Sequence, residues 1–336
     1  MHILIVNNSV IPALKYGGTE RVIWWLGKML VKMGHTVSYL VAKGSSCPFG
    51  KVYELNPDLP FNSQVPDSVD VLHLLTAVNE KPLKPYIVTL QGNINEAIEL
   101  DRNTSFVSRN HANRYGSDQY VYNCLDVEDY GKPDLNNKRK YIHFLADAAW
   151  RVKNVRGAIK IARQASVPLH VIGGVRFNFN MGIRLTFDPN TRFHGMKGGE
   201  EKNRILNGSK GLLFPVLWNE PFGIALIESL YFGCPVIGTP YGSLTELIPK
   251  EVGFLSSNKD ELVAAVKNID DYDRNVCHRY VMDNFTADKM TLQYLSLYEK
   301  VLNGESLNAI APKLKQVQVE KFLPFGRTAP LASEGF

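Results

Sequence analysis

The stretch Trp218-Asn219-Glu220-Pro221-Phe222-Gly223-Ile224-Ala225-Leu226-Ile227-Glu228-Ser229-Leu230 decides how the rest of this chain is read. It has the form of a loop opening into a helix. Pro221 suits the first helical position, where a missing N–H costs nothing. Gly223 lets a ligand come close to the first exposed amides. Those amides and the helix dipole make an anion site, and phosphate is its natural occupant. Glu228 falls among Ile224, Leu226, Ile227 and Leu230, where an unpaired carboxylate is costly. Two explanations stand at this level: a ligand-binding carboxylate, or a buried ion pair with a Lys or Arg.

Pro-Phe-Gly follows Glu220, and the run continues through Phe232-Gly233-Cys234-Pro235-Val236-Ile237-Gly238-Thr239 to Gly242 and Glu246. With Glu220 and Glu228 in that register, the stretch resembles the Glu-x7-Glu motif of the retaining, nucleotide-sugar-dependent glycosyltransferases of family 4, the glycosyl transferases group 1. The resemblance covers residues 1 to about 303 and is most specific in the second half. It implies an α/β chain of GT-B fold, with two facing Rossmann-like doubly wound domains and an interdomain cleft. On this expectation residues 1–135 form an acceptor domain and 138–282 a donor domain. A helix at about 285–303 crosses back onto the first domain, and 304–336 is a tail whose role the sequence does not give.

Composition agrees without deciding. A chain of 336 residues exceeds one comfortable core. Hydrophobic content of 45% and charged content of 21% are ordinary for a globular protein. The net charge of +5 suits a diphosphate ligand or an anionic membrane as well as nucleic acid. No basic patch interleaved with aromatics stands out, so nucleic acid is not expected as a partner. Cys47, Cys124, Cys234 and Cys277 lie far apart without a C-x-x-C, and read as reduced and mostly buried, fitting the cytosol. No signal peptide and no run long enough to span a bilayer is visible, so the expected location is cytoplasmic.

In the first half, His2-Ile3-Leu4-Ile5-Val6 is a continuous apolar run, as expected of a central parallel strand. A loop closing in Tyr16-Gly17-Gly18-Thr19-Glu20 leads into a helix with Val22, Leu26, Met29 and Met33 on one face. No G-x-G-x-x-G follows the strand, which argues against a dinucleotide oxidoreductase. Gly17-Gly18 resembles the family's glycine-rich loop facing donor phosphates and acceptor; a plain turn is the alternative. Arg21, Lys28 and Lys32 cluster opposite the apolar stripe, flanked by Trp24 and Trp25. A solvated face with Trp packed between helices is the plainer reading; peripheral contact with an anionic membrane at its inner surface is the alternative.

Further strands are expected at 36–41, 70–74, 86–92 and 121–126. His73 lies near the end of one of them, a satisfied core histidine or a sugar contact. In the family the strand ending here at Gln91 carries a His; Gln91 can bond a sugar hydroxyl but cannot take a proton. Phe106 to His111 resembles a strand-to-helix turn near the acceptor, with His111 an exposed candidate contact. Residues 131–138 read as linker.

The second half opens with a strand at 141–146. In the family an Arg directly follows this strand and a Lys comes soon after, both gripping the diphosphate. Asp147 stands where that Arg would be, Lys153 fits the Lys, and Arg151 is the substitute cation. Strands at 169–174, 192–195, 211–215 and 235–238 alternate with helices near 159, 200–206 and 242–246, the doubly wound pattern. Asp271-Tyr272-Asp273 has the form of a metal-binding D-x-D but falls in a polar turn, and metal independence is expected.

The resemblance then implies a retaining transfer from a nucleoside diphosphate sugar, a UDP-sugar by family frequency, to a carbohydrate or lipid-linked acceptor, with no cofactor beyond that substrate. Glu228 would hold the ribose, Glu220 the sugar, the amides of Phe222, Gly223 and Ile224 the sugar and phosphate, and Arg151 and Lys153 the diphosphate. Surface polysaccharide or lipopolysaccharide assembly is the commonest setting. A nucleotide-sugar-binding protein without transfer activity, suggested by Asp147 and Gln91, and a sugar-nucleotide epimerase are the alternatives. Oligomeric state is not legible.

Overall fold

The computed structural model describes residues 1–13 and 17–326. Tyr16 of the glycine loop, and the tail beyond residue 326, lie outside the described residues. The chain divides into two compact units. Met1–Gly131 joins Met282–Val319 in the first, and Lys132–Val281 joins the segment from Glu320 in the second.

The first unit holds β1 (His2–Val6), β2 (Thr36–Val41), β3 (Lys51–Glu54), β4 (Val71–Leu74), β5 (Tyr86–Leu90) and β6 (Thr104–Phe106), with α1 (Gly18–Lys32) and α2 (Arg109–Arg114). All pairings are parallel, in the order β3-β2-β1-β4-β5-β6. Ile3 to Val6 are fully buried because a central parallel strand is covered on both faces. Residues 121–126 do not join the ladder as expected. Their chain is held by isolated bridges, Tyr120 to Phe106 and Leu125 to Thr286.

The basic face expected to be open on α1 is instead paired. Lys28 donates to Asp126 at 2.6 Å and Lys32 to Glu128 at 2.6 Å, while the Trp25 indole N–H meets Asp129 at 2.5 Å. The segment 126–129 therefore lies along this face, and Trp25 is buried. A bilayer would have to displace those carboxylates, so the membrane reading of this helix does not stand.

The second unit holds β7 (Tyr141–Leu145), β8 (Leu169–Ile172), β9 (Phe177–Asn178), β10 (Arg184–Leu185), β11 (Thr191–Phe193), β12 (Ser209–Phe214), β13 (Val236–Gly238) and β14 (Gly253–Leu255). Its helices are α3 (Val155–Ala165), α4 (Gly199–Asn207), α5 (Ile224–Tyr231), α6 (Leu244–Leu247), α7 (Lys259–Lys267) and α8 (Arg274–Asn284), the last ending in the first unit's share of the chain. The parallel sheet runs β11-β8-β7-β12-β13-β14, the same order as in the first unit, while β9 and β10 form an antiparallel hairpin outside it. Ile142, Phe144, Ile161, Val171, Leu213 and Leu262 fill the core on one face. The final helix, α9 (Ala287–Leu302), belongs to the first unit, where Tyr294 and Tyr298 are fully buried.

The described tail is anchored rather than loose. Leu314 packs with Phe106, Ala112 and Tyr115 in the first unit. In the second, the Leu323 N–H donates to the Leu217 carbonyl at 2.8 Å and Gly326 to Ser257 at 2.9 Å. Among the described residues no helix is long and apolar enough to cross a membrane.

Candidate functional site

In the second unit the strand order reverses between β7 and β12. Loops leaving such neighbours diverge to opposite faces and open a crevice at their carboxyl ends, where ligands of doubly wound sheets bind. The two loops here are stitched together. Asn154, in the left-handed region at φ 58°, accepts from the Gly157 amide at 3.0 Å and donates to the Pro215 carbonyl at 2.9 Å. The Leu217 N–H donates to the Val152 carbonyl at 2.7 Å. Gly173 closes the neighbouring turn: a Cβ there would come within 2.2 Å of the Ala146 carbonyl oxygen.

This stitching brings Lys153 and Glu220 together. The Lys153 ammonium donates to Glu220 Oε2 at 2.6 Å, and the Trp218 indole N–H donates to the same oxygen at 2.8 Å. The ammonium also lies 4.8 Å from the Trp218 ring centroid and 5.3 Å from that of Phe214. Both side chains are largely buried, at 11% and 6% exposure. The backbone of Glu220 is pinned by Gly242, at φ 64°, where an added Cβ would meet the Glu220 N and O at 2.3 Å. Only glycine fits this approach.

The next turn presents amides. Helix α5 starts at Ile224, later than Pro221 led us to expect, because Gly223 at φ 83° breaks the helical path before it. Among the described residues no side chain caps this helix start. Gly223 and Ile224 are half-buried, and the first N–H groups of a helix have no partner within it.

Other expected residues fall elsewhere. Glu228 is 2% exposed and ion-paired with the buried Lys202 of α4, which is the second of the two explanations its setting allowed. Arg151 is exposed, its guanidinium 5.0 Å from the Phe322 ring centroid. Asp147 shapes its own turn by accepting the Ala149 N–H at 2.9 Å. Asp271 and Asp273 are exposed between α7 and α8, and Asp273 accepts the Asn275 N–H at 2.8 Å at the start of α8.

The first-unit candidates divide similarly. Gly17 precedes α1 at φ 145° and Gly18 is its first residue. Gln91 exchanges two amide hydrogen bonds with Asn123, at 3.0 and 3.3 Å, and borders a cavity of about 720 Å³ with Thr89, Tyr86 and Asp101. His111, expected to be exposed, is 1% exposed and set edge-on against Phe106 and Tyr115. Burial, with Arg114 nearby, lowers its pKa to about 3. His73 is a core histidine: its ring nitrogens meet the Tyr298 and Thr89 hydroxyls at 2.8 Å each, and burial lowers its pKa to about 3. Both rings are buried in the core of the first unit.

Sequence reasoning missed Lys202, whose partner lies far along the chain, and gave Trp218 and Asn154 no role. Asn154 had a signal, since an Asn before an apolar-periodic run is a helix N-cap.

Residues 128–280 match the family model described as Glycosyl transferases group 1. N-acetyl-alpha-D-glucosaminyl L-malate synthase of Bacillus anthracis is 26% identical over 220 residues, 56% of this chain and 55% of that protein. The chain thus spans about half the length of this curated relative. AviGT4, a glycosyltransferase involved in Avilamycin A biosynthesis, superposes with a TM-score of 0.72 at 18% identity, over 90% of this chain and 98% of that one. Anabaena Alr3699/HepE, solved in complex with UDP and glucose, gives 0.63 at 14% identity, over 88% and 99%. At these identities the structures speak for the fold, which is GT-B. Residues 128–280 are a glycosyl transferases group 1 domain, carried in a chain of GT-B fold.

Proposed function

We propose that this chain is a retaining glycosyltransferase that moves a sugar from a UDP-sugar to a hydroxyl of a carbohydrate or lipid-linked acceptor, on the cytoplasmic side, in surface polysaccharide or lipopolysaccharide assembly. The observation that carries the reading is the Lys153–Glu220 pair at the switch point of the second sheet, next to the uncapped start of α5. A diphosphate placed there meets the amides of Gly223 and Ile224 and the Lys153 ammonium. The leaving nucleotide gains charge as the glycosidic bond breaks, and fixed positive groups at that place lower the barrier. Glu220, released from Lys153 by the competing phosphate, accepts hydrogen bonds from sugar hydroxyls. No protein nucleophile is required if the leaving-group oxygen itself takes the acceptor proton on the same face. The UDP complex of Anabaena Alr3699/HepE supports UDP as the nucleotide.

A thermal-shift panel of UDP, GDP, ADP and their sugars tests donor binding. Ligand at a hundred times its Kd adds about 2.7 kcal/mol, and UDP is expected to give the largest shift. Glu228 is tested by Glu228→Gln. Lost UDP affinity would support a ribose role; UDP affinity retained, with melting lowered by the broken Lys202 pair, would leave Glu228 a structural role only.

A nucleotide-sugar-binding protein without turnover is the second reading. It is favoured by Asp147 at the Arg position and by both acids already holding lysines. Binding of a UDP-sugar with no release of UDP, with or without acceptors, would decide for this reading over transfer.

A further inference from the structure

We propose that the hairpin of residues 175–187 in the second unit docks this chain on an anionic lipid bilayer. This stands apart from the donor site. Along the hairpin apolar and polar residues alternate, Val-Arg-Phe-Asn-Phe-Asn-Met-Gly-Ile-Arg-Leu-Thr-Phe. Strand alternation sends one set to each face. The apolar set is the exposed one: Phe179 is 70%, Met181 63%, Ile183 65% and Phe187 77% exposed. Phe177 and Leu185 pair across the strands, and the Phe177 and Phe187 rings meet at 5.7 Å, so the side chains form one patch. At about 100 Å² each they present on the order of 700 Å², above the usual largest patch on a soluble monomer.

The opposite, polar face is what anchors the hairpin. Arg176 donates to the Thr186 and Asp188 carbonyls at 3.1 and 3.0 Å, Arg184 to the Val175 carbonyl at 2.8 Å, and Arg156 to the Ile183 carbonyl at 2.5 Å. The turn is closed by the Asn178 amide donating to the Asn180 carbonyl at 2.6 Å and the Gly182 carbonyl at 3.1 Å. The apolar face is therefore held outward by polar bonds beneath it, with Phe179 and Met181 at the tip.

Charge identifies the partner. Of the seven Lys and Arg between Asp147 and Asp188, Lys153 is ion-paired with Glu220 and Arg184 is buried, so the charge that counts is that of the exposed cations beside the hairpin. Arg151 and Arg156, both exposed, border the cavity that the hairpin closes. An apolar wedge among cations matches an interface of acyl chains beneath anionic headgroups. A second copy of the same cationic face would be repelled instead.

The test is flotation of the full chain with phosphatidylcholine vesicles, with and without phosphatidylglycerol. The expected result is binding that requires phosphatidylglycerol and weakens with salt. The double variant Phe179→Ser, Met181→Ser should bind at least tenfold more weakly, while melting and the UDP-induced shift are unchanged. In Phe179→Trp, indole emission should shift to the blue on vesicle addition. The proposal is overturned if the unaltered chain does not float with anionic vesicles, or if the serine variant floats equally. It is also overturned if sedimentation shows a dimer in the unaltered chain that the serine variant loses.

Discussion

Removing both partners of the Lys153–Glu220 pair should cost less than the sum of the two single removals, and the two singles should differ. Lys153→Met leaves a carboxylate that is 6% exposed and still accepts from the Trp218 indole N–H. Breaking a buried pair from one side typically costs about 3–5 kcal/mol, and that one charge-assisted bond at about 1.5–3 kcal/mol is already counted in both states. Glu220→Gln keeps an oxygen for Lys153 and Trp218 and leaves the ammonium over two ring faces worth about 0.5–2 kcal/mol. Its cost should be about 1–2 kcal/mol. The double variant should then be more stable than the sum of the singles by about 2 kcal/mol, the coupling energy of the cycle. Urea unfolding followed by tryptophan emission reads this, because Trp218 changes its surroundings with the pair. The two units require that the second unit's transition be resolved before two-state analysis is applied. In the same variants, Lys153→Met should lower kcat by about 100- to 1000-fold. Additive singles, or a Glu220→Gln cost above that of Lys153→Met, would refute this description of the pair.

Gly242→Ala should lower melting by several degrees and weaken UDP binding, because a left-handed alanine costs about 1–2 kcal/mol and its Cβ meets the Glu220 backbone; calorimetry with and without UDP measures both. Burial holds the His143 ring, bonded to Ser209 and Ser229, at a pKa of about 3. The unfolded chain titrates near 6.5 and binds more protons below that, so stability is full above about pH 6.5 and falls as pH drops toward about 3. Between pH 7 and 5 this histidine should account for about 2 kcal/mol of loss, and His143→Gln should flatten the urea midpoint of the second unit by that amount. Turnover should be unchanged by EDTA; a requirement for added Mn²⁺ would contradict the metal-independent reading.

Local patterns carried the parts of this fold that depend on local physics. The apolar run at residues 2–6 is buried on both faces, so its composition announces its place. The motif from Trp218 to Glu246 is legible because proline, glycine and acid each answer a backbone or charge constraint there. What was not legible depends on partners distant in sequence. Lys28 and Lys32 look like a free basic face until Asp126 and Glu128 are brought to them. Glu228 could not be assigned without Lys202. His111 looks exposed because its helix is polar, yet the ring closes a cluster with Phe106 and Tyr115. The edge strand Lys51–Glu54 has two charges in four residues and gives little apolar signal. Residues 175–187 did carry a period of two, but their apolar side turned out to face solvent, which alternation alone does not reveal.

A crystal structure of the chain soaked with UDP-glucose tests the account most directly. It should show the diphosphate at the Gly223 and Ile224 amides, with Lys153 drawn from Glu220 to a phosphate oxygen and Glu220 on the glucose hydroxyls. The nucleotide bound elsewhere, with Lys153–Glu220 and Lys202–Glu228 both intact, would contradict it.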